Sequence, residues 1–139
     1  KARTVVKLLK DLKREHGSAS LDFIKTMSVR EAMRALETIE GIGPQVGACV
    51  ILFSLGRNIC PVDTNILRIL QRMGIVMSSA TVENAFEMLQ PLVPPGQSYA
   101  FHTNMIRLGK EVCRSGKPKC TDCPVKVECR FPSKNITRR

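Results

Sequence analysis

Four cysteines near the C-terminal end of the sequence have a spacing that suits a metal centre. They follow the pattern C-x6-C-x2-C-x5-C within "CRSGKPKCTDCPVKVEC" and are Cys113, Cys120, Cys123 and Cys129. A zinc ribbon needs two separate C-x2-C pairs, and this segment has one. Disulfides are not expected, because no secretory signal pattern points to an oxidising compartment. Four closely spaced thiolates suit a [4Fe–4S] cluster, which takes one cysteine per iron. We therefore predict a [4Fe–4S] cluster ahead of a zinc ion, and a zinc ion ahead of unpaired thiols.

Three basic residues lie between the first two of these cysteines: Arg114, Lys117 and Lys119. Their charge would offset the net negative charge of a thiolate-ligated cluster, or it would contact a DNA phosphate. The two roles are compatible. The other cysteines, Cys49 and Cys60, stand in apolar sequence and are predicted to be buried thiols.

A carboxylate stands in the middle of the sequence, where Asp63 occurs in "PVDTN" directly before an apolar-periodic segment. Aspartate in this position is typical of a helix N-cap. From the residues alone, capping is the favoured role for Asp63.

The segment "IEGIGPQVGA" predicts a tight turn between two helices at Gly41, Ile42 and Gly43. Glycine lets a backbone turn sharply and approach a ligand closely. The unpaired amides at the start of the following helix form an anion site that the helix dipole reinforces. A plain helix–helix turn would also explain the glycines. The flanking apolar residues, Pro44 and the basic charge of the chain favour contact with the DNA backbone.

These residues are set on a chain that reads as all-α, since no segment alternates with a period of two for long. The segment 2–16 has Val5, Leu9 and Leu12 on one face. Its lysine and arginine residues form a basic stripe on the opposite face, which we interpret as exposed to solvent. Ser28 and Glu31 form a capping-box pattern. The segment after Pro44 is apolar all round, which predicts burial on every side. Helices are predicted over 2–16, 29–38, 44–55, 64–73, 81–92 and 98–113.

The composition indicates a polyanionic partner. In 139 residues, Lys and Arg number 22 against 12 Asp and Glu, giving a net charge of +10 and a pI near 9.7. Nucleic acid is the first candidate and an acidic membrane surface the second. No apolar run approaches the roughly 18 residues of a membrane span. The first residue is Lys1 rather than methionine, which suggests a fragment or a processed chain.

The hairpin at 41–43, "PVDTN" at 61–65 and the cysteines at 113–129 stand in an order that resembles the endonuclease III branch of the helix–hairpin–helix DNA glycosylases. The resemblance runs from Lys1 to Cys129. It implies an all-α, HhH-GPD glycosylase-like fold with two parts. Residues 1–57 would be the end of a helical barrel, with the helix–hairpin–helix at 36–55. Residues 58–139 would be a cluster domain, with the hairpin and Asp63 facing each other across a cleft.

The resemblance implies removal of a damaged or mispaired base from double-stranded DNA, with Asp63 as the catalytic carboxylate. Cleavage of the glycosidic bond builds positive charge on the sugar, which a fixed anion stabilises. The same carboxylate can orient or deprotonate the attacking water. The resemblance also implies DNA contacts by Gly41, Ile42, Gly43 and Gln45.

Two positions depart from the pattern of the bifunctional members. Gln45 stands where those members carry the lysine that attacks the sugar and forms a Schiff base, and an amide cannot do this. No lysine or arginine occurs between Arg34 and Arg57. Asn65 stands where many lyase-type members have histidine, and mismatch-adenine-type members also have asparagine there. Both departures favour hydrolytic base removal without strand cleavage.

Two other functions stay open from the sequence. One is a non-catalytic DNA-binding module stabilised by its cluster, and the other is a glycosylase/AP lyase using an amine elsewhere. Members of the branch carry further helices before the part that matches Lys1, and we expect those to complete the barrel. We also expect a monomer without a membrane partner, acting inside the cell: in the bacterial nucleoid, or in a nucleus or organelle.

Overall fold

The computed structural model describes residues 2–131, and over that range the chain is all-helical, which confirms the predicted fold class. These residues contain no strand. None of their helices is long and apolar enough to cross a membrane. The α-helices are α1 Ala2–His16, α2 Val29–Glu37, α3 Pro44–Leu55, α4 Thr64–Met73, α5 Val82–Leu89 and α6 Ser98–Glu111. Short 3₁₀ turns occur at Asp22–Ile24, Gln90–Leu92 and Cys120–Asp122.

The chain divides into two compact units, Lys1–Ile59 and Cys60–Arg139. The division falls two residues beyond the boundary predicted from the sequence. The assignment of the units to a barrel and a cluster domain stays a prediction.

In the first unit, α2 packs against α3. The α2 helix begins at a complete capping box. Ser28 Oγ accepts from the Glu31 amide at 3.3 Å, and Glu31 Oε2 accepts from the Ser28 amide at 2.8 Å. Gly47 faces the fully buried Leu36, and a Cβ on Gly47 would already lie in van der Waals contact with it at 3.6 Å. Contact at this distance is ordinary, so α2 and α3 would pack against an alanine at position 47 without a clash.

Two helices of the first unit are less buried than predicted. Leu12 is buried on α1, but Val5 and Leu9 of the same face are 53% and 43% exposed. On α3 the side chains of Val46 and Phe53 are 49% and 48% exposed. The prediction that α3 is buried on every side is wrong for the described residues, because α2 covers one face of the helix only.

The basic stripe of α1 forms exposed ion pairs, as a solvated face would. Lys7 contacts Asp11 at 3.4 Å and also pairs with Glu40 beyond α2. Arg14 contacts Asp11 at 3.0 Å and Glu15 at 3.1 Å. Exposed pairs of this kind contribute little to stability.

In the second unit, α4 packs against both α5 and α6 around an apolar cluster. The buried members of that cluster are Cys60, Val62, Ile66, Leu70, Val76, Ala85, Leu89 and Val93. The α4 helix ends at Gly74, whose φ of +76° is in the left-handed region that glycine adopts freely.

The last helix ends two residues earlier than the sequence predicts. Val112 is the C-cap, with φ −115° and ψ −64°, and its amide still donates to the Leu108 carbonyl at 3.0 Å. Its carbonyl then accepts from the amide of Lys119 at 2.9 Å, which closes a loop that begins at Cys113. The early end of α6 therefore places the first cysteine in the loop that carries the others.

Candidate functional site

The glycine hairpin has the geometry expected of a turn that presents amides to a ligand. Gly41 has φ +91°, a backbone conformation that residues with a side chain rarely adopt. A Cβ at this position would also lie in tight contact with Thr4 Cγ2, at 3.0 Å. Gly43 is the N-cap of α3 and no side chain caps the helix, which leaves the amides of its first turn available. Gly41 and Gly43 are both exposed.

Ile42 has a different role from its two neighbours. Its side chain is only 6% exposed, and its amide already donates to the Ile39 carbonyl at 3.0 Å. The amide of Ile42 is therefore engaged inside the turn and is not free for a phosphate. Ile42 anchors the hairpin, and the glycines and the start of α3 remain the candidates for DNA contact.

Gln45 is exposed in the first turn of α3, directly after Pro44. Its side chain is accessible to a ligand at the end of the helix where the free amides lie. The structure thus places the amide side chain at the helix terminus that the resemblance makes a DNA-binding element.

Asp63 is the N-cap of α4, as its position before the helix predicts. One carboxylate oxygen accepts from the Ile66 amide at 2.8 Å, and the other accepts from Asn65 Nδ2 at 2.7 Å. The side chain is half-buried. The two hydrogen bonds fix the carboxylate in one orientation while part of it stays accessible to solvent.

A chain of hydrogen bonds runs from this carboxylate to the first cysteine of the loop. Asn65 donates to Asp63 and accepts from Arg68 Nη2 at 3.1 Å. Arg68 also donates from Nη2 to the Gly109 carbonyl at 2.9 Å and from Nε to the Cys113 carbonyl at 3.0 Å. Sequence reasoning missed Arg68, although its spacing from Asp63 and Asn65 puts the three on neighbouring turns of one helix.

The four cysteines of the loop all line one small cavity of about 30 Å³. The rest of its lining is largely apolar or basic and consists of Arg72, Val112, Pro118, Lys119, Lys126 and Phe131. No disulfide joins the cysteines. The structure thus brings together the thiols that the spacing selects, with basic residues beside them.

Arg72 of α4 ties this cysteine loop to the helix. Its Nη1 donates to Cys113 Sγ at 3.3 Å and to the Arg114 carbonyl at 2.7 Å, and its Nη2 donates to the Ser115 carbonyl at 2.9 Å. Its guanidinium lies 4.6 Å from the centre of the Phe131 ring, within cation–π distance. Sequence reasoning missed Arg72 because nothing local links it to a loop some forty residues away.

Thiol chemistry separates this quartet from Cys60. Burial raises the pKa of the Cys123 thiol, a backbone amide lowers it, and the charges of Cys113, Cys129 and Cys120 raise it further. Burial alone raises the pKa of Cys60 to about 12, so this thiol stays neutral, in keeping with its predicted burial.

The donor set has the composition that a cluster needs. A [4Fe–4S] cube binds each of four cysteines through a different iron. The four thiols of the loop line one cavity and are the cysteines that the spacing selects. Within residues 2–131 no three His, Cys, Asp or Glu side chains converge closely enough to hold one metal ion. The choice between a cluster and zinc therefore stays a prediction.

The predicted DNA-contacting cations of the loop occupy different environments. Arg114 and Lys117 are exposed, while Lys119 lines the cysteine cavity. Lys119 is also exposed, so its charge is placed to offset the thiolates and also reaches solvent, as the charges of Arg114 and Lys117 do.

Comparison with solved structures decides the fold. The chain superposes on endonuclease III from a non-covalent DNA complex with a TM-score of 0.78 and 24% sequence identity, covering 93% of this chain and 56% of that one. The fold is that of endonuclease III. This endonuclease III-like fold also fits the order of hairpin, Asp63 helix and cysteine loop along the chain.

Several curated relatives of the endonuclease III-like chain are plant proteins. It is 32% identical to DEMETER-like protein 2 of Arabidopsis thaliana over 149 residues, covering 95% of this chain and 11% of that protein. It is 31% identical to DNA glycosylase/AP lyase ROS1 of the same plant, covering 93% of this chain and 10% of that protein. The chain thus spans about a tenth of the length of these relatives. No protein-family model matches it.

Close packing between α4 and α6 supports the Asp63 network and is open to test at Gly109. A Cβ on Gly109 would lie 2.8 Å from Asn65 Cβ and 3.4 Å from both Arg68 Nη2 and Ile69 Cδ1. We expect Gly109→Ala to lower the free energy of unfolding by about 1–2 kcal/mol, because the overpacking exceeds the better helix propensity of alanine. Thermal unfolding measures the change.

The matched control is Gly116→Ala, where a Cβ would meet nothing within 4 Å. We expect this variant to unfold at the wild-type temperature. A Gly109→Ala protein as stable as wild type would show that the contact between α4 and α6 adjusts without cost.

Proposed function

We propose that the chain is the DNA-processing part of a glycosylase that hydrolyses the N-glycosidic bond of a damaged or mispaired base without cutting the strand. The observation that carries the proposal is Asp63, fixed by two hydrogen bonds at the start of α4 in an endonuclease III-like fold. A carboxylate held rigidly before the reaction stabilises developing positive charge without reorganising.

In this proposal Asp63 acts on the sugar and on water. As the bond to the base breaks, the carboxylate stabilises the oxocarbenium-like sugar. It orients the attacking water and accepts its proton. Capping and catalysis are compatible, because each oxygen makes one hydrogen bond and a carboxylate oxygen has two lone pairs.

DNA contacts are assigned to the hairpin and to the loop. The amides around Gly41, Gly43 and the first turn of α3 would hold phosphates, as free amides at a helix N-terminus do. Arg114, Lys117 and Lys119 would add salt-dependent attraction to the backbone. Gln45 would contact the nucleotide. The partner in this proposal is double-stranded DNA, bound by a monomer. The protein would act in the compartment that contains the DNA.

Cys113, Cys120, Cys123 and Cys129 would hold a [4Fe–4S] cluster, which when bound supplies a cross-link between segments of the loop. Hydrolysis needs no electrons, so the cluster has a structural role in this proposal. Arg72 would hold the loop in place through the Cys113 sulfur and three carbonyls. A yellow-brown protein with a broad visible absorption band is the expected sign of the oxidised cluster.

The test is a base-release assay on a panel of damaged and mispaired duplexes, with and without alkali. Strand breaks that appear only after alkali indicate base release alone. Breaks without alkali indicate lyase action. Binding to an abasic-site duplex with no base release on any member of the panel would favour a non-catalytic DNA-binding module.

A glycosylase with AP lyase activity is the second candidate, favoured by the relative named DNA glycosylase/AP lyase ROS1. It requires an amine other than residue 45. We expect borohydride to trap no covalent adduct between the wild-type chain and a substrate duplex, because glutamine cannot form a Schiff base. Denaturing electrophoresis of the borohydride-treated mixture makes the measurement.

Gln45→Lys is the companion variant for that experiment. An adduct with Gln45→Lys and none with wild type would show that position 45 alone withholds the lyase reaction. An adduct with wild type would contradict the monofunctional proposal and indicate an amine elsewhere in the chain.

A further inference from the structure

The segment that leads into Asp63 is buried although it belongs to no helix. Cys60, Pro61 and Val62 are each less than 2% exposed. Buried backbone polar groups need hydrogen-bond partners. Pro61 has no amide, so the groups that need pairing just before Asp63 include the amide and carbonyl of Cys60 and the carbonyl of Pro61.

A single side chain satisfies both backbone groups of Cys60. Gln90 Oε1 accepts from the Cys60 amide at 2.9 Å, and Gln90 Nε2 donates to the Cys60 carbonyl at 3.0 Å. The same Nε2 donates to the Phe86 carbonyl at 2.8 Å, which orients the amide against α5. The carboxamide pairs with Cys60 as a neighbouring strand would, and only a group with one acceptor beside one donor can do so.

His102 of α6 holds the next residue. Its Nδ1 lies 2.9 Å from the Pro61 carbonyl, and the ring is 7% exposed. A carbonyl oxygen only accepts, so Nδ1 carries the proton in this contact. Gln90 at the end of α5 and His102 of α6 therefore hydrogen-bond to Cys60 and Pro61, which lie three and two positions before Asp63.

We propose that Gln90 and His102 are positioning residues that fix the orientation of the Asp63 carboxylate through the main chain of residues 60–62. The fixed φ of Pro61 makes this connection short and stiff. The hydrogen bonds from Ile66 and Asn65 hold the carboxylate from the helix side, and the grip on Cys60 and Pro61 holds it from the preceding side. The effect on the rate of base release rests on the proposed function, whereas the effect on the orientation of the Asp63 carboxylate does not.

Variants of His102 and Gln90 can separate the effect of losing a hydrogen bond from the effect of changing side-chain volume. His102→Asn keeps a donor near the place of Nδ1, whereas His102→Leu fills the space without a donor. Gln90→Met keeps the length of the side chain and loses both hydrogen bonds to Cys60. Gln90→Glu keeps the acceptor for the Cys60 amide but places an oxygen against the Cys60 carbonyl.

Single-turnover base release and affinity for an abasic-site duplex are the first measurements. We expect His102→Leu and Gln90→Met to slow base release by about tenfold or more, since a small displacement of a reacting group lowers a rate steeply. Duplex affinity should stay within about threefold, because neither residue belongs to the proposed DNA contacts. His102→Asn should keep its rate within about threefold of wild type. Equal losses in His102→Asn and His102→Leu, or a loss of affinity without a loss of rate, would overturn the proposal.

Nuclear magnetic resonance of the full chain gives a readout that needs no activity. We expect His102→Leu and Gln90→Met to shift the carboxyl carbon of Asp63 and to speed hydrogen exchange at the Ile66 amide. His102→Asn should leave both signals near wild type, and amides in the middle of α6 should keep their protection in every variant. If wild type releases no base, the proposed function fails while these signals still decide the inference. Unchanged Asp63 and Ile66 signals in His102→Leu would refute it.

Discussion

Asp63→Asn is expected to slow base release by at least about a hundredfold while leaving the fold of the chain intact. Removal of one fixed electrostatic stabiliser of a transition state has an effect of this size. Asparagine caps helices about as well as aspartate, so the hydrogen bond from the Ile66 amide can persist. The substitution removes the charge and the general base and keeps the cap.

Single-turnover kinetics and thermal unfolding of the same preparation test this expectation. Asp22→Asn is the matched control, because Asp22 is an exposed carboxylate paired with Lys25 in the other unit. We expect the Asp22→Asn rate to equal the wild-type rate. An Asp63→Asn protein that turns over normally would remove Asp63 from the mechanism, and one that fails to fold would show that the carboxylate is needed for the cap.

The local features of the fold could be predicted from the sequence because each has a nearby cause. Ser28 and Glu31 are three residues apart and form the capping box. Asp63 and Gly74 bound α4, and Gly43, Pro44 and Gly56 bound α3, as capping preferences require. The spacing of the four loop cysteines was sufficient to select the residues that line one cavity.

The features that could not be predicted depend on residues distant in sequence. Arg72 and Cys113 are 41 residues apart, and so are His102 and Pro61. No periodicity or cap connects such pairs. The exposure of Val46 and Phe53 was missed for a related reason, since apolar residues on every face indicate what a helix can bury and not what covers it.

The Asp63 network could be predicted only in part from the sequence. Asn65 was noted from the sequence as a departure from lyase-type members, but its partner Arg68 was not. Asp63, Asn65 and Arg68 at the start of α4 are linked to the cysteine loop because Arg68 reaches the Gly109 carbonyl of α6 and the Cys113 carbonyl beyond it. The sequence carries the polar residues, and the packing of the two helices decides that they meet.

Cys120→Ser is expected to abolish the visible absorption of the protein and to destabilise the second unit by more than about 4 kcal/mol. Loss of a metal ligand belongs to the few single changes with effects that large, since binding energy at such a site is also folding energy. Arg68 and Arg72 hold the start of the loop at Cys113–Cys129, but many residues of the loop are exposed and its longest regular element is the turn Cys120–Asp122. Base release should be lost together with folding and not before it.

The control for this variant is Cys49→Ser, in a cysteine outside the cavity. We expect Cys49→Ser to keep the absorption band and the iron content of wild type. A Cys120→Ser protein that is colourless yet as stable as wild type would contradict the structural role of the cluster. Zinc in place of iron in the purified wild-type protein would contradict the cluster itself, because the four thiolates would then ligate a single ion.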